Sequence, residues 1–306
     1  MKKYLILCNL LLLVTLVGCG QTKKTAKTFN ITTSFYPMYY FAKEIVKDKA
    51  EVTMITPTNT EPHDYEPSAK AIAKIENSSL FIYNSEAMET WVNSIKKTVT
   101  NDSTVTFVKA SQGIPLEEEA HSESEKHHDH QHELDPHVWL DPMLAKKEVQ
   151  TMTKAIIQKD EKNKSYYEKN SQKLQERLDQ LNQKFQRKAK QAKNKTFVTQ
   201  HAAFGYLAKQ YGLHQEAIAG IDPEQEPSPK ELANIEKLVK KEKIRYIYTE
   251  ETSSSKVAQT VKNATGATLL TLNTLESVSK QEQKQGKNYF TIMEDNLNQL
   301  EKTFQS

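Results

Sequence analysis

The sequence predicts an α/β fold of two lobes. Each lobe carries a mostly parallel four-stranded sheet flanked by helices, and one long rigid helix joins the two. Three observations point there. Short β-rich runs alternate with helical patterns, the signature of parallel α/β units. Four candidate strands lie on each side of a central break. The break itself, 164–193, contains no Gly and no Pro, and its apolar residues Tyr167, Leu174, Leu178, Leu181, Phe185 and Ala189 form a single helical stripe.

The chain opens with Met1-Lys2-Lys3, followed by an apolar run from Tyr4 to Gly18 broken only by Asn9 and Thr15. The run is too short to cross a ~30 Å hydrocarbon core, which needs about 20 residues. A charged start, a short apolar run and small residues at its end predict a secretory signal over 1–18. Leu16-Val17-Gly18-Cys19 resembles the bacterial lipobox, which makes Cys19 the lipidated first residue of the mature chain. Cys8 leaves with the signal, so no thiol remains for disulfides or metal. Loss of Lys2 and Lys3 takes the net charge from +3 to +1. Residues 19–27, rich in lysine and without large apolar side chains, predict a flexible tether.

Candidate strands in the N-terminal lobe, 28–163, are Phe29–Thr33, Glu51–Ile55, Leu80–Tyr83 and Thr104–Val108. The linking helix over 164–193 would be roughly 45 Å long. A coiled-coil dimer is the competing reading of its stripe, but about three heptads are marginal for that. The C-terminal lobe, 194–306, offers Thr196–Thr199, Glu216–Ala219, Ile244–Thr249 and Thr268–Leu272. Ser228-Pro229-Lys230-Glu231 is a capping box ahead of Leu232, Ile235 and Leu238; Lys237, Lys240, Lys241 and Lys243 fall on that helix's solvent side. The halves share no sequence repeat, so any likeness between them is architectural.

Composition excludes several classes. Hydrophobic content of 37% and a mean hydropathy of −0.71 exclude a polytopic membrane protein. The balance of 42 Lys+Arg against 39 Asp+Glu leaves no basic footprint for nucleic acid. With 8 glycines and no G-x-G-x-x-G, P-loop or G-x-S-x-G string, dinucleotide, NTPase and α/β-hydrolase chemistries lose support.

The histidines carry the chemistry. Five of the nine, His121, His127, His128, His130 and His132, lie in the acidic low-complexity segment 116–135. Such a tract cannot build a core and suits loose metal capture. His63 lies in Glu61-Pro62-His63-Asp64-Tyr65-Glu66-Pro67, His137 in Asp135-Pro136-His137-Val138-Trp139-Leu140-Asp141-Pro142, and His201 just past a strand in Thr199-Gln200-His201. Glu276 follows the last candidate strand. All four fall in loops on the carboxyl side of strands, where open α/β sheets bind ligands. Two come from each half, so they can meet only between lobes. His214 lies at a helix-to-strand turn with no partner in view.

Taken together, TSFYPMY (33–39), EPHDYEPS (61–68), DPHVWLDP (135–142), TFVTQHAAFGYLAKQYGL (196–213), GIDPEQEPSP (220–229) and LNTLE (272–276) resemble the metal-binding lipoproteins of ABC transporters. The similarity is to the zinc/manganese branch of solute-binding proteins, with the Gram-positive zinc-uptake type nearest, and it runs from about Thr28 to the C-terminus. Some of those proteins carry an extra C-terminal zinc-binding domain, for which this chain ends too early. The resemblance implies metal ligands at His63, His137 and His201, and a fourth at Glu276, with Glu250 and Glu251 as competing acids. A histidine at the third position implies Zn²⁺ over Mn²⁺. It further implies an ABC permease and its ATPase as partners, a lipid-anchored place on the extracellular face of the membrane, a monomer, and no enzymatic activity.

Three imidazoles and one carboxylate suit tetrahedral Zn²⁺, whereas Mn²⁺ prefers more oxygen. Affinity is expected to fall below about pH 6.5, where imidazoles protonate. Asp64 and Asp141 are candidates to fix the ring tautomers. A rigid connecting helix implies small lobe movement. Two other classes compete: a zinc hydrolase, with Glu276 as base beside an open position, and a surface adhesin that uses zinc structurally.

Overall fold

The computed structural model describes residues 29–99, 103–118, 133–250 and 256–306. The expected signal over 1–18, the expected lipidation site Cys19 and tether to 27, the five histidines of 121–132, and Glu251 lie outside the described residues.

Among the described residues, eight strands form two parallel sheets. β1 (Asn30–Thr33), β2 (Glu51–Met54), β3 (Leu80–Tyr83) and β4 (Thr106–Lys109) pair in the order β2-β1-β3-β4. β5 (Thr196–Thr199), β6 (His214–Ala217), β7 (Tyr246–Thr249) and β8 (Thr268–Thr271) pair in the order β6-β5-β7-β8. The second order repeats the first, so the halves share an architecture that their side chains do not reveal.

The helices of the N-terminal half are α1 (Tyr36–Val46), α2 (Ala69–Glu76), α3 (Val92–Thr98) and α4 (Pro142–Lys159). α5 (Lys164–Lys190) follows. α6 (Gly205–Tyr211), α7 (Pro229–Lys241), α8 (Lys256–Thr265), α9 (Lys280–Lys284) and α10 (Tyr289–Phe304) complete the chain.

Alternation along the strands divides the core into layers. Leu80 and Ile82 face a central cluster, while Phe81 and Tyr83 face an outer one under α2 and α3. In the second sheet Phe197 and Tyr248 face the centre, and Val198 and Ile247 face α7 and α8. The central cluster is continuous from Ile31 to Phe304 and includes the whole α5 stripe. Those stripe residues are buried against α1 and α4 on one side and α6 and α10 on the other. No apolar seam is left for a coiled-coil partner. Ser171 fills the seven-residue gap in the stripe, where its hydroxyl accepts from Thr153 Oγ1 at 2.8 Å.

Several element ends differ from the sequence reading by one to three residues, and two of these shifts have a visible cause. α5 stops at Lys190, three residues early, because the chain turns to dock on the C-terminus: Lys193 N–H donates to the Phe304 carbonyl at 2.9 Å. β6 begins at His214, two residues before the expected Glu216. Gly212 ends α6 in a left-handed conformation (φ 63°), which turns the chain into the sheet at once. His214 is therefore the first strand residue, exposed and hydrogen-bonded to Glu216 at 2.8 Å. The capping box stands: Ser228 and Glu231 bond reciprocally at the start of α7, on which Lys237, Lys240 and Lys241 are exposed; Lys243, also exposed, lies two residues past its end.

Candidate metal centre

Four loops deliver one donor each to a point between the sheets. His63 rides the loop from β2 to α2, where Tyr65 OH donates to the Ile55 carbonyl at 3.1 Å and Asn59 N–H crosses to Ser277 Oγ at 2.7 Å. His137 precedes a 3₁₀ turn, Val138–Leu140, and Asn84 Nδ2 holds the Pro136 carbonyl at 2.7 Å. His201 lies two residues beyond β5, its carbonyl held by Thr199 Oγ1 and Gln215 Nε2. Glu276 follows Leu275, a buried residue at φ +63°. Such a backbone is costly for leucine; Asn273 Oδ1 holds it by accepting Leu275 N–H at 2.7 Å.

The donor atoms converge. His137 Nε2 lies 3.2 Å from His63 Nε2 and 3.4 Å from His201 Nε2. Glu276 Oε1 lies 3.1 Å from His137 Nε2, 3.7 Å from His63 Nε2 and 3.8 Å from His201 Nε2. A tetrahedral ion about 2.0–2.1 Å from each donor would set them about 3.3 Å apart. These five separations bracket that value, and all four donor atoms lie within 4.8 Å of one another. His137, His201 and Glu276 are buried, while His63 is half-buried at the mouth.

Two further carboxylates fix the rings. His137 Nδ1 donates to Asp135 Oδ1 at 2.8 Å, and His201 Nδ1 bonds Glu250 Oε1. With Nδ1 occupied, each ring presents Nε2 inward, the atom a metal would take. This corrects the expected partners. Asp64 is exposed, and Asp141 caps α4 by accepting Met143 N–H at 2.8 Å. Glu250, weighed earlier as a competing ligand, stands behind His201, and Glu276 takes the inner place.

Charge coupling is strong at this depth. Burial alone would lower the His137 pKa, but hydrogen bonds to Asp135 and Glu276 outweigh it and raise it to about 10. Burial alone would raise Glu276; the His137 and His63 bonds hold it well below its usual range. Sequence reasoning missed Glu61. Its Oε1 accepts His63 N–H at 3.2 Å, and its buried Oε2 has no hydrogen-bond partner among the described residues. Burial, then repulsion from Glu276, push it up to about 9. Its place two residues before His63 was the only available signal.

The profile of the family described as zinc-uptake complex component A, periplasmic (ZnuA), matches residues 31–303. The chain belongs to this family. It is accordingly a zinc-uptake receptor of the solute-binding type and not an enzyme, and the hydrolase reading falls. Among ZnuA relatives, the high-affinity zinc uptake system protein ZnuA of Bacillus subtilis is 47% identical over 297 residues, covering 94% of this chain and 93% of that protein. The zinc-binding lipoprotein AdcA of Streptococcus pneumoniae is 42% identical over 307 residues, covering 99% of this chain; the chain spans 61% of that relative's length. The Zn(II)-bound ZnuA-like domain of Streptococcus pneumoniae AdcA superposes with a TM-score of 0.78 at 41% identity, covering 91% of this chain and all of that one. The laminin-binding protein of Streptococcus agalactiae, described as bifunctional with adhesin and metal-transporting activity, gives 0.80 at 34% identity, covering 90% and 99%.

Proposed function

We propose that His63, His137, His201 and Glu276 take up Zn²⁺ as cargo and that the chain delivers it to an ABC permease with its ATPase. The single observation that carries this reading is the convergence of three imidazole nitrogens and one carboxylate oxygen within 4.8 Å of one another, at spacings close to those of a tetrahedral site. Four protein donors complete the shell, so no position is left open for an activated water. Nitrogen dominance favours Zn²⁺ over Mn²⁺.

In this reading Cys19 carries the lipid, residues 19–27 tether the chain to the extracellular face of the membrane, and the receptor works as a monomer. The domain division is part of the same proposal: lobes 28–163 and 194–306 around a linking helix. His121, His127, His128, His130 and His132 raise local zinc beside the cleft. The base of that loop supports this role, since the Glu118–Leu134 bridge roots it one residue before Asp135. Laminin adhesion is a second reading, favoured by the likeness to the laminin-binding protein; binding to immobilised laminin, with and without zinc, tests it.

The main test is metal analysis of the chain lacking residues 1–19. One zinc per chain is expected, lost on changing any of the four ligands singly to Ala. Full zinc binding by the Glu276→Ala variant would remove Glu276 from the site.

A further inference from the structure

Gly205 opens α6, yet its backbone does not need a glycine. Its φ lies outside the left-handed region, and alanine suits a helical residue at least as well. What the position lacks is room for a Cβ. Built on this backbone, that atom would stand 3.0 Å from Asp135 Oδ2, closer than ordinary contact.

Asp135 cannot easily yield. Its Oδ1 accepts both the His137 backbone N–H at 2.9 Å and ring Nδ1–H at 2.8 Å. Its carbonyl accepts from Tyr206 OH at 2.8 Å, and its N–H donates to the Glu117 carbonyl at 2.8 Å. With its own backbone held on both sides, Asp135 gives the few tenths of an ångström that Oδ2 needs by turning its carboxylate. That moves Oδ1, swings the imidazole and carries Nε2 off the meeting point of the donors.

We propose that Gly205 is a positioning residue for the metal site: its bare Cα admits the Asp135 carboxylate, which in turn aims His137. The proposal rests on the ligand assignment above and extends it to a helix of the opposite half that supplies no ligand. Docking of α6 against Asp135 thereby becomes a condition for tight binding, so an N-half ligand is aimed by the C-half backbone.

A double-mutant cycle tests it, using Gly205→Ala, Asp135→Ala and the pair, with zinc affinity from chelator competition and visible absorption of the cobalt-substituted protein. Gly205→Ala should weaken zinc about tenfold, in the range of lost outer-shell support, and alter the cobalt bands. On the Asp135→Ala background the same change should cost less than about twofold, because the colliding oxygen is gone. Affinity in Gly205→Ala equal to the parent, or an equal loss on both backgrounds, overturns the proposal. Misfolding of Gly205→Ala that Asp135→Ala does not rescue overturns it as well. Absence of zinc binding by the parent would instead sink the ligand assignment, and this proposal with it.

Discussion

Trp139 Nε1 donates to the Thr274 carbonyl at 2.8 Å, so the segment that carries His137 is sewn to the segment that carries Glu276. Tyr289 OH reinforces the seam by donating to the Trp139 carbonyl at 2.7 Å, and Thr274 Oγ1 donates to Glu276 Oε2 at 3.0 Å. Two proposed ligands 139 residues apart are thus held in register by backbone and side-chain bonds that involve no metal.

Replacing Trp139 with Phe should show this. The change leaves the buried Thr274 carbonyl without its donor, which costs about 1–3 kcal/mol, plus a loss of packing against Phe35. Thermal unfolding of the metal-free protein should fall accordingly, and chelator competition should show weaker zinc.

Ligands and ring-holding carboxylates should separate by magnitude. Glu276→Gln and His137→Ala should reduce zinc affinity more than Glu250→Gln, for which about 10–100-fold is expected. Competition titrations across the set check the order. A Glu250→Gln loss larger than that of Glu276→Gln would exchange their roles.

Glu148 supplies a pH dependence away from the metal. It is fully buried on α4, and neither carboxylate oxygen has a hydrogen-bond partner among the described residues. Burial, then repulsion from Glu89, hold its pKa well above 4.5; burial also lifts Glu89, to about 7. A raised folded pKa means that unfolding releases a proton between the two values. The group's contribution to stability is therefore full below about pH 4.5 and lost as pH rises toward the folded value. Glu148→Gln should raise the melting temperature at pH 8, with the gain shrinking toward pH 4.5.

Metal removal should leave a folded receptor. The central cluster runs through both sheets and α5 without using a metal ligand. Chelation should therefore preserve the far-UV dichroism and the radius of gyration in solution scattering. Zinc at 1,000 times its Kd should add about 4 kcal/mol of stability. Unfolding on chelation would restore the reading in which zinc is structural.

Much of this was legible in the residues alone. Alternating β-rich and helical runs placed all eight strands to within two residues, and the α5 stripe marked the connection, because periodicity reports which face is buried. His63, His137, His201 and Glu276 stood out through their motifs and their shared place after strands. The rest required tertiary structure. Asp135 and Glu250 differ in no local way from Asp64 or Asp141; only packing decides which carboxylate meets a given Nδ1. The order β2-β1-β3-β4 and its repetition, the seam from Trp139 to Thr274, and the need for glycine at 205 all rest on contacts between residues far apart in sequence. Periodicity reports a face and not its partner, so the chain announced its donors but left their orientation to the fold.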